Sequence, residues 1–257
     1  MKPLVCAHRG ASQDIGEHTL GAYLEALSAG ADALECDVRL TRDGHLVLFH
    51  DRTLTRTAGV DKVVSELTLA ELQEYDFAAW RRSSERETDR AWQLDTILTL
   101  RDYLSTVRDC GRHVELFIET KHPVRYGGRV EHELAGVLRE FGWDGAGSPV
   151  RVMSFHPSAV LRMQRLAPEL RQVMLLDTLR WYRVLRPVIR KDWIVGPGIW
   201  LLREAPQIAD WAHATGRELS VWTVNNEADL DFCLEHGVAA ITTDRPAWAA
   251  AQLAQRA

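Results

Sequence analysis

Long apolar runs are missing from this chain. No window reaches the ~18 apolar residues of a membrane-crossing helix, which argues against a membrane-spanning class. Cysteine is scarce: Cys6, Cys36, Cys110 and Cys233 stand far apart. No pair has zinc-ligand spacing, and their density is too low for a disulfide framework, so a reduced, cytoplasmic setting is expected. Positive charge is not in excess either, since 31 Lys and Arg against 36 Asp and Glu leave a formal net charge of −5. No global basic field exists to hold nucleic acid or an anionic membrane, so neither nucleic acid nor stable membrane insertion is expected. An anionic ligand would need a local cationic site. Internal repeats and low-complexity tracts are absent. Met1-Lys2-Pro3 leads straight into a polar cluster, so no signal peptide is expected.

What the chain does have is alternation. Strand-like runs cover Pro3–Ala7, Ala33–Leu40, Leu46–Phe49, Val114–Glu119, Val150–Phe155, Gln172–Leu176, Trp193–Val195, Leu219–Val224 and Ala239–Thr242. Between them, apolar residues recur at spacings of three and four over Thr19–Ala29, Leu69–Tyr75, Thr96–Asp109, Arg129–Phe141, Ser158–Leu166, Glu204–Thr215, Glu227–Glu235 and Pro246–Gln255. Asn226 and Ser158 are read as helix N-caps. This βα pattern predicts a parallel sheet, and 257 residues suit a single TM-less α/β domain, a TIM (β/α)8 barrel over residues 1–257. Nine strand candidates are one too many. The Asp43-Gly44 turn accounts for the extra one, because the two runs it separates are too close for a parallel crossover. The second run must fold back as a hairpin arm on the barrel rim, carrying His50 towards Asp37. Residues 51–94 break the alternation and are read as an insertion or lid on the active face, with Trp80 and Trp92 as apolar contacts.

Four strand candidates end in polar clusters: His8-Arg9-Gly10, Glu35-Cys36-Asp37, His50-Asp51 and Glu119-Thr120-Lys121. Side chains two apart on a strand share a face, so Glu35 and Asp37 point one way, as do Glu119 and Lys121. Cys36 should face the helices. Three carboxylates meeting at one barrel mouth would force one of them to hold a proton; a divalent cation removes that conflict. Oxygen ligands suit Mg²⁺ or Ca²⁺, with Mn²⁺ a further option. His8 and His50 are the acid–base candidates, because imidazole titrates near neutral pH. Arg9 and Lys121 are candidates for phosphate oxygens, the first as a bidentate fork and the second as a point charge. Trp222 is read as a pocket wall, with Phe155, Leu175 and Trp200 as weaker candidates. Asp244 is read as the cap of the last helix, and His45, His113, His122, His132, His156, His213 and His236 as surface or loop residues.

Taken in order and spacing, these segments resemble the glycerophosphodiester phosphodiesterase family. The resemblance runs through Ala7-His8-Arg9-Gly10-Ala11-Ser12, Glu35-Cys36-Asp37-Val38, Asp43-Gly44, Phe49-His50-Asp51, Glu119-Thr120-Lys121, Val221-Trp222-Thr223-Val224-Asn225 and Thr243-Asp244-Arg245-Pro246. It implies a phospholipase-C-like TIM barrel with a small insertion, hydrolysing glycerophosphodiesters to sn-glycerol 3-phosphate and an alcohol. It implies His8 and His50 as the catalytic pair, Glu35, Asp37 and Glu119 as metal ligands, and Arg9 and Lys121 at phosphate-binding positions. One departure is visible. Where the family has Pro-Glu-Asn-Thr, this chain has Gly16-Glu17-His18-Thr19. The replaced Asn is expected to order the loop beside the metal.

Two alternatives stand beside this reading. A lysophospholipase-D-like enzyme would use the same site with an acyl groove built from Trp80, Trp92, Trp181, Tyr182 and Trp200. No exposed amphipathic anchor of the membrane-binding kind is evident for it. A non-catalytic barrel that binds a phosphodiester is the other; inactive relatives are expected to lose an acid–base residue or ligand, and all seven polar positions are present here.

Overall fold

The structure, a computed structural model, describes residues 2–81 and 95–256. Trp92 and part of the expected insertion lie outside the described residues. The nine strands are β1 (Leu4–His8), β2 (Ala33–Leu40), β3 (Leu46–Leu48), β4 (Glu115–Thr120), β5 (Val150–Ser154), β6 (Arg171–Leu176), β7 (Ile194–Pro197), β8 (Ser220–Trp222) and β9 (Ala240–Thr243). Eight of them run parallel in the order β7-β6-β5-β4-β2-β1-β9-β8, with β3 off this path. Parallel bridges Val195–Leu219 and Gly198–Trp222 join β7 to β8 and close the ring. The protein is a TIM barrel.

β3 is the surplus strand. It pairs antiparallel with β2, Val38 opposite Leu48. The Phe49 amide continues this pairing onto the Asp37 carbonyl at 2.9 Å. His50, the next residue, is thereby carried to the barrel mouth, and its carbonyl is held there by Arg39 at 2.6 and 2.9 Å.

Alternation along the strands sorts three apolar layers. Cys6, Ala33, Phe117, Met153, Val173, Leu175, Ile194 and Ala240 fill the barrel interior. Cys36 points outward, into the layer between sheet and helices with Leu34, Tyr103 and Leu116. A second outer layer, including Met174, Val195, Ile208 and Ile241, covers the other half. Phe117 is the largest interior side chain and lies two residues below Glu119 on β4. Phe117→Ala would leave a cavity beneath the site, and we expect a loss of ~3–5 kcal/mol, measured by urea unfolding. A loss below ~1 kcal/mol would mean that the interior collapses around the gap. Apart from the barrel, Val47, Phe49, Leu54, Val64, Leu67, Leu72, Phe77 and Ile97 form a small core of their own, tying the start of the 51–94 segment to the hairpin.

The helices depart from the sequence expectation in places. Leu69–Leu72 and Leu100–Arg108 are shorter than their apolar patterns. Helices at Leu179–Leu185 and Ile199–Glu204 escaped the pattern altogether. Asn226 caps its helix through the Asp229 amide. Ser158 does not cap: the helix begins at Pro157, with His156 at the cap position. All four cysteines are free thiols. Among the described residues, no helix is long and apolar enough to cross a membrane.

Candidate active site

Strand register assembles the site. His8 lies opposite Glu35 across β1 and β2. Asp37 lies opposite Glu119 across β2 and β4. Past β1 the chain turns sharply, with Arg9 at φ 57° and Gly10 at φ 87°. A Cβ on Gly10 would sit 2.6 Å from the Ala22 backbone, so only glycine fits this close approach. The turn leaves the Arg9 amide donating to Glu35 Oε2 at 3.0 Å.

Glu35, Asp37 and Glu119 are buried, and their oxygens lie within 4.8 Å of one another. Lys121 Nζ sits 2.9 Å from Asp37 and 2.8 Å from Glu119. Arg9 Nε is 3.1 Å from Asp37, and its Nη1 donates to Glu17 at 2.9 Å. Three carboxylates thus face two cations, and the shortfall shows in their protonation. Burial, with Asp37 nearby, pushes Glu35 well above the usual carboxyl range. Burial raises Glu119 to about 7 against the pull of Lys121. For Asp37 burial would act the same way, but Lys121, Arg9 and His18 outweigh it and hold the group well below its ordinary value. An all-oxygen donor set that cannot ionise fully on its own fits a hard divalent cation.

Each candidate catalytic histidine is backed by an aspartate. His8 Nδ1 donates to Asp244 Oδ1 at 2.6 Å. Ser12 and Asn225 also donate to Asp244, at 3.0 and 2.6 Å. Despite burial, these bonds hold Asp244 at about 2. His50 Nδ1 donates to Asp51 Oδ1 at 2.6 Å, and Arg56 Nε secures the other oxygen at 2.7 Å. With Nδ1 committed as donor, Nε2 of each ring is left to exchange protons. Burial, with help from Lys121 and Arg9, pulls His50 down to about 4. Arg56 also grips Glu17 at 2.6 and 2.7 Å, so one arginine from the 51–94 segment ties the two sides of the mouth together.

The Asp244 reading is corrected here. The cap position of the last helix is Arg245, which makes no side-chain cap bond, and Asp244 orients His8 instead. Asp244 stands two residues after Thr242 on the inward face of β9, a placement that strand alternation foretells only once the strand end is known. Asp51, Glu17 and Arg56 were also passed over; the adjacency of Asp51 to His50 was the available signal. His122 is not a surface residue. Its side chain is largely buried and bonds the fully buried Glu131, which Arg162 also holds. His18 occupies the position of the family Asn. It is buried in the left-handed region at φ 60°, where Asn and His are both enriched. Its Nε2 donates to Asp37 at 2.9 Å, and the Tyr23 hydroxyl lies 2.8 Å from its Nδ1. The loop therefore keeps a tie to the carboxylate centre.

A cavity of about 440 Å³ opens over these groups, bordered by His8, Arg9, Glu35, His50, Glu119 and Lys121. Met153, Phe155, Leu175, Trp200 and Trp222 form its apolar side. Trp222 stands edge-on between Phe155 and Trp200, with ring centroids 5.2 and 4.6 Å away. Its indole N–H is fixed to the Gly196 carbonyl at 2.9 Å. Of the aromatic residues considered for an acyl groove, only Trp200 lines the cavity among the described residues. Tyr182 is buried against the barrel instead, and Trp181 is exposed.

A closed barrel with acid, base and cationic side chains gathered at the carboxyl ends of its strands is the layout of a TIM-barrel enzyme. Residues 8–248 match the glycerophosphoryl diester phosphodiesterase family. The chain belongs to that family of phosphodiesterases. It is 46% identical over 254 residues to a Mycobacterium tuberculosis protein named "Probable glycerophosphodiester phosphodiesterase 1", covering 95% of this chain and 90% of that one. A Bacillus subtilis glycerophosphodiester phosphodiesterase is 30% identical over 248 residues, covering 95% of this chain and 84% of that one. Among solved structures, an Oleispira antarctica phosphodiesterase in complex with the product sn-glycerol-3-phosphate superposes with a TM-score of 0.83 at 25% identity, covering 98% and 97% of the two chains.

Proposed function

We propose that this protein hydrolyses glycerophosphodiesters to sn-glycerol 3-phosphate and an alcohol. Glu35, Asp37 and Glu119 would hold one divalent cation, and His8 and His50 would act as the acid–base pair. The observation that carries the proposal is the convergence of three buried carboxylates, two of them pushed towards protonation, and two aspartate-backed histidines at one barrel mouth. The product complex of the Oleispira phosphodiesterase supports the choice of product.

When bound, the cation supplies Lewis acidity to a phosphodiester oxygen and to the glycerol 2-hydroxyl. His50, neutral over the whole neutral range, takes the 2-hydroxyl proton at Nε2, and that hydroxyl attacks phosphorus. His8 gives a proton from Nε2 to the departing alcohol, while Asp244 holds its Nδ1 and fixes the ring's orientation. Water then opens the cyclic phosphate with the two roles reversed. Arg9 and Lys121 add positive charge beside the phosphoryl oxygens. Trp222, Phe155 and Trp200 form the wall against which the glycerol and its alcohol substituent pack. Arg56, from the described start of the expected insertion, clasps Asp51 and Glu17 beside the mouth.

The test is release of glycerol 3-phosphate from glycerophosphocholine by chelator-treated protein, before and after Mg²⁺, Ca²⁺ or Mn²⁺ is added. Release should appear only with metal. Full release without metal would reject the cation at the three carboxylates. No release with any metal would reject the substrate, and turnover of a monoacyl lipid would then name the replacement.

A further inference from the structure

We infer that the flank formed by residues 179–191 is a docking face for an anionic lipid surface. The inference goes beyond the hydrolytic reading and does not depend on it. Helix Leu179–Leu185 and the turns after it turn Tyr182, Leu185 and Ile189 inward against the barrel. A second apolar stripe faces outward: Trp181 is 52% exposed, Val184 57% and Val188 59%. Exposed apolar side chains at this spacing are uncommon on a face that meets only water. Between them stand Arg180, Arg183, Arg186, Arg190 and Lys191, all exposed. No acidic residue occurs from 178 to 191. Among the described residues only Arg190 of these five has an ion pair within 4.0 Å, with Asp192 at 3.3 Å.

Apolar residues interleaved with unpaired cations match the chemistry of an anionic bilayer surface, where rings and branched chains enter the headgroup boundary and the cations meet phosphates. The rest of the molecule strengthens the match. With a net charge of −5 the molecule has no global attraction to such a surface, so attraction requires a local cationic patch such as this flank. A groove of about 530 Å³ opens on the same flank beside Arg183, Arg186, Lys191 and Arg217. Arg186 and Arg217 lie over the Trp211 ring at 5.5 and 4.7 Å, which holds two of those cations in place. The face also begins at the rim of the active-site cavity. Asp177 lines that cavity, and Thr178 caps the helix that bears Trp181. Trp200, 49% exposed, donates to the Asp177 carbonyl at 2.9 Å. Docking would therefore set the cavity mouth beside the headgroup layer. The contact proposed is peripheral; among the described residues no helix is long and apolar enough to cross a membrane.

The experiment is co-sedimentation of the full-length protein with phosphatidylcholine vesicles and with vesicles in which about a third of the lipid is phosphatidylglycerol. Binding should occur only to the anionic vesicles and weaken as salt shortens the Debye length from ~30 Å at 0.01 M to ~8 Å at 0.15 M. Arg180→Gln with Arg183→Gln should weaken it by about 30-fold, roughly fivefold per cation. Trp181→Ser with Val184→Ser should weaken it independently of salt. The circular dichroism spectrum and urea midpoint should be unchanged in both double variants, which reports that they fold. Failure to bind anionic vesicles, equal binding to both vesicle types, or binding that neither double variant weakens would overturn the inference. So would tighter binding of duplex DNA than of anionic vesicles, lost in the arginine variant, which would mark the face as a polyanion site of another kind.

Discussion

His8→Ala and His50→Ala each lower kcat on glycerophosphocholine by ~10²–10⁴, the usual scale for a lost acid or base. KM should change far less, because neither imidazole is needed to hold the glycerol unit against Trp222. The two histidines belong to separate hydrogen-bond sets, His8 with Asp244 and His50 with Asp51. They act on one reaction coordinate, however, so the double variant should lose less than the product of the single losses. The pH profile adds a second check. His50 is drawn down to about 4 by burial and by the cations Lys121 and Arg9. As a base it must be neutral, so at saturating cation His50 should add no acid limb to kcat above about pH 4. An acid limb near the ordinary histidine value of ~6.5 that persists at saturating cation and is absent from the cation-binding profile would remove His50 as the base. Full kcat in either alanine variant would remove that residue from the mechanism altogether.

Asp37→Asn should cost stability on the scale of Phe117→Ala, through charge rather than packing. Asp37 is the common partner of Lys121, Arg9 and His18 within a fully buried centre. Removing its charge takes one of two carboxylate partners from each of two largely buried cations, Lys121 keeping Glu119 and Arg9 keeping Glu17. The cost should therefore approach but not exceed the ~3–5 kcal/mol of a buried pair broken outright. The pH sign is clear: Asp37 has its folded value depressed below its unfolded one. Its contribution is present above the unfolded carboxyl pKa and is lost as pH falls through the folded value. Glu35→Gln is the informative contrast. Glu35 is raised well above the usual range, so its ionised form costs stability once pH exceeds the unfolded value, and glutamine resembles its protonated state. Without metal, that variant should unfold within ~1 kcal/mol of the parent, yet it should bind Mg²⁺ or Ca²⁺ weakly. Urea unfolding and calorimetric titration of cation onto the two variants measure both quantities. Parent-like cation affinity in both would remove these carboxylates as ligands.

Much of the barrel was legible because strands buried on both faces leave apolar runs, and those runs ended at the polar residues that matter. Local spacing placed Glu35 with Asp37 and Cys36 on the other side, since alternation is a property of the strand itself. The Asp43-Gly44 turn disclosed β3, because a short connection permits only an antiparallel return. Helix Leu179–Leu185 hid for the opposite reason. Its outward stripe of Trp181 and Val184 runs beside its inward stripe of Tyr182 and Leu185, so no single apolar face stands out.

The sequence by itself determined the order of the strands, eight parallel with one hairpin arm, and the identity of the polar groups at the strand ends. These follow from local periodicity and turn chemistry. Tertiary structure alone decided which distant residues share a site. Asp244 reaches His8 across 236 positions of chain, and Arg56 reaches Glu17 across 39. Neither contact has a local signature: barrel closure brings β9 beside β1, and the packing of the turn after the hairpin arm brings Arg56 to Glu17. Protonation was decided there too. Glu35, Asp37 and Glu119 are alike in sequence, yet burial and unequal shares of Arg9, Lys121 and His18 drive Asp37 down and the other two up.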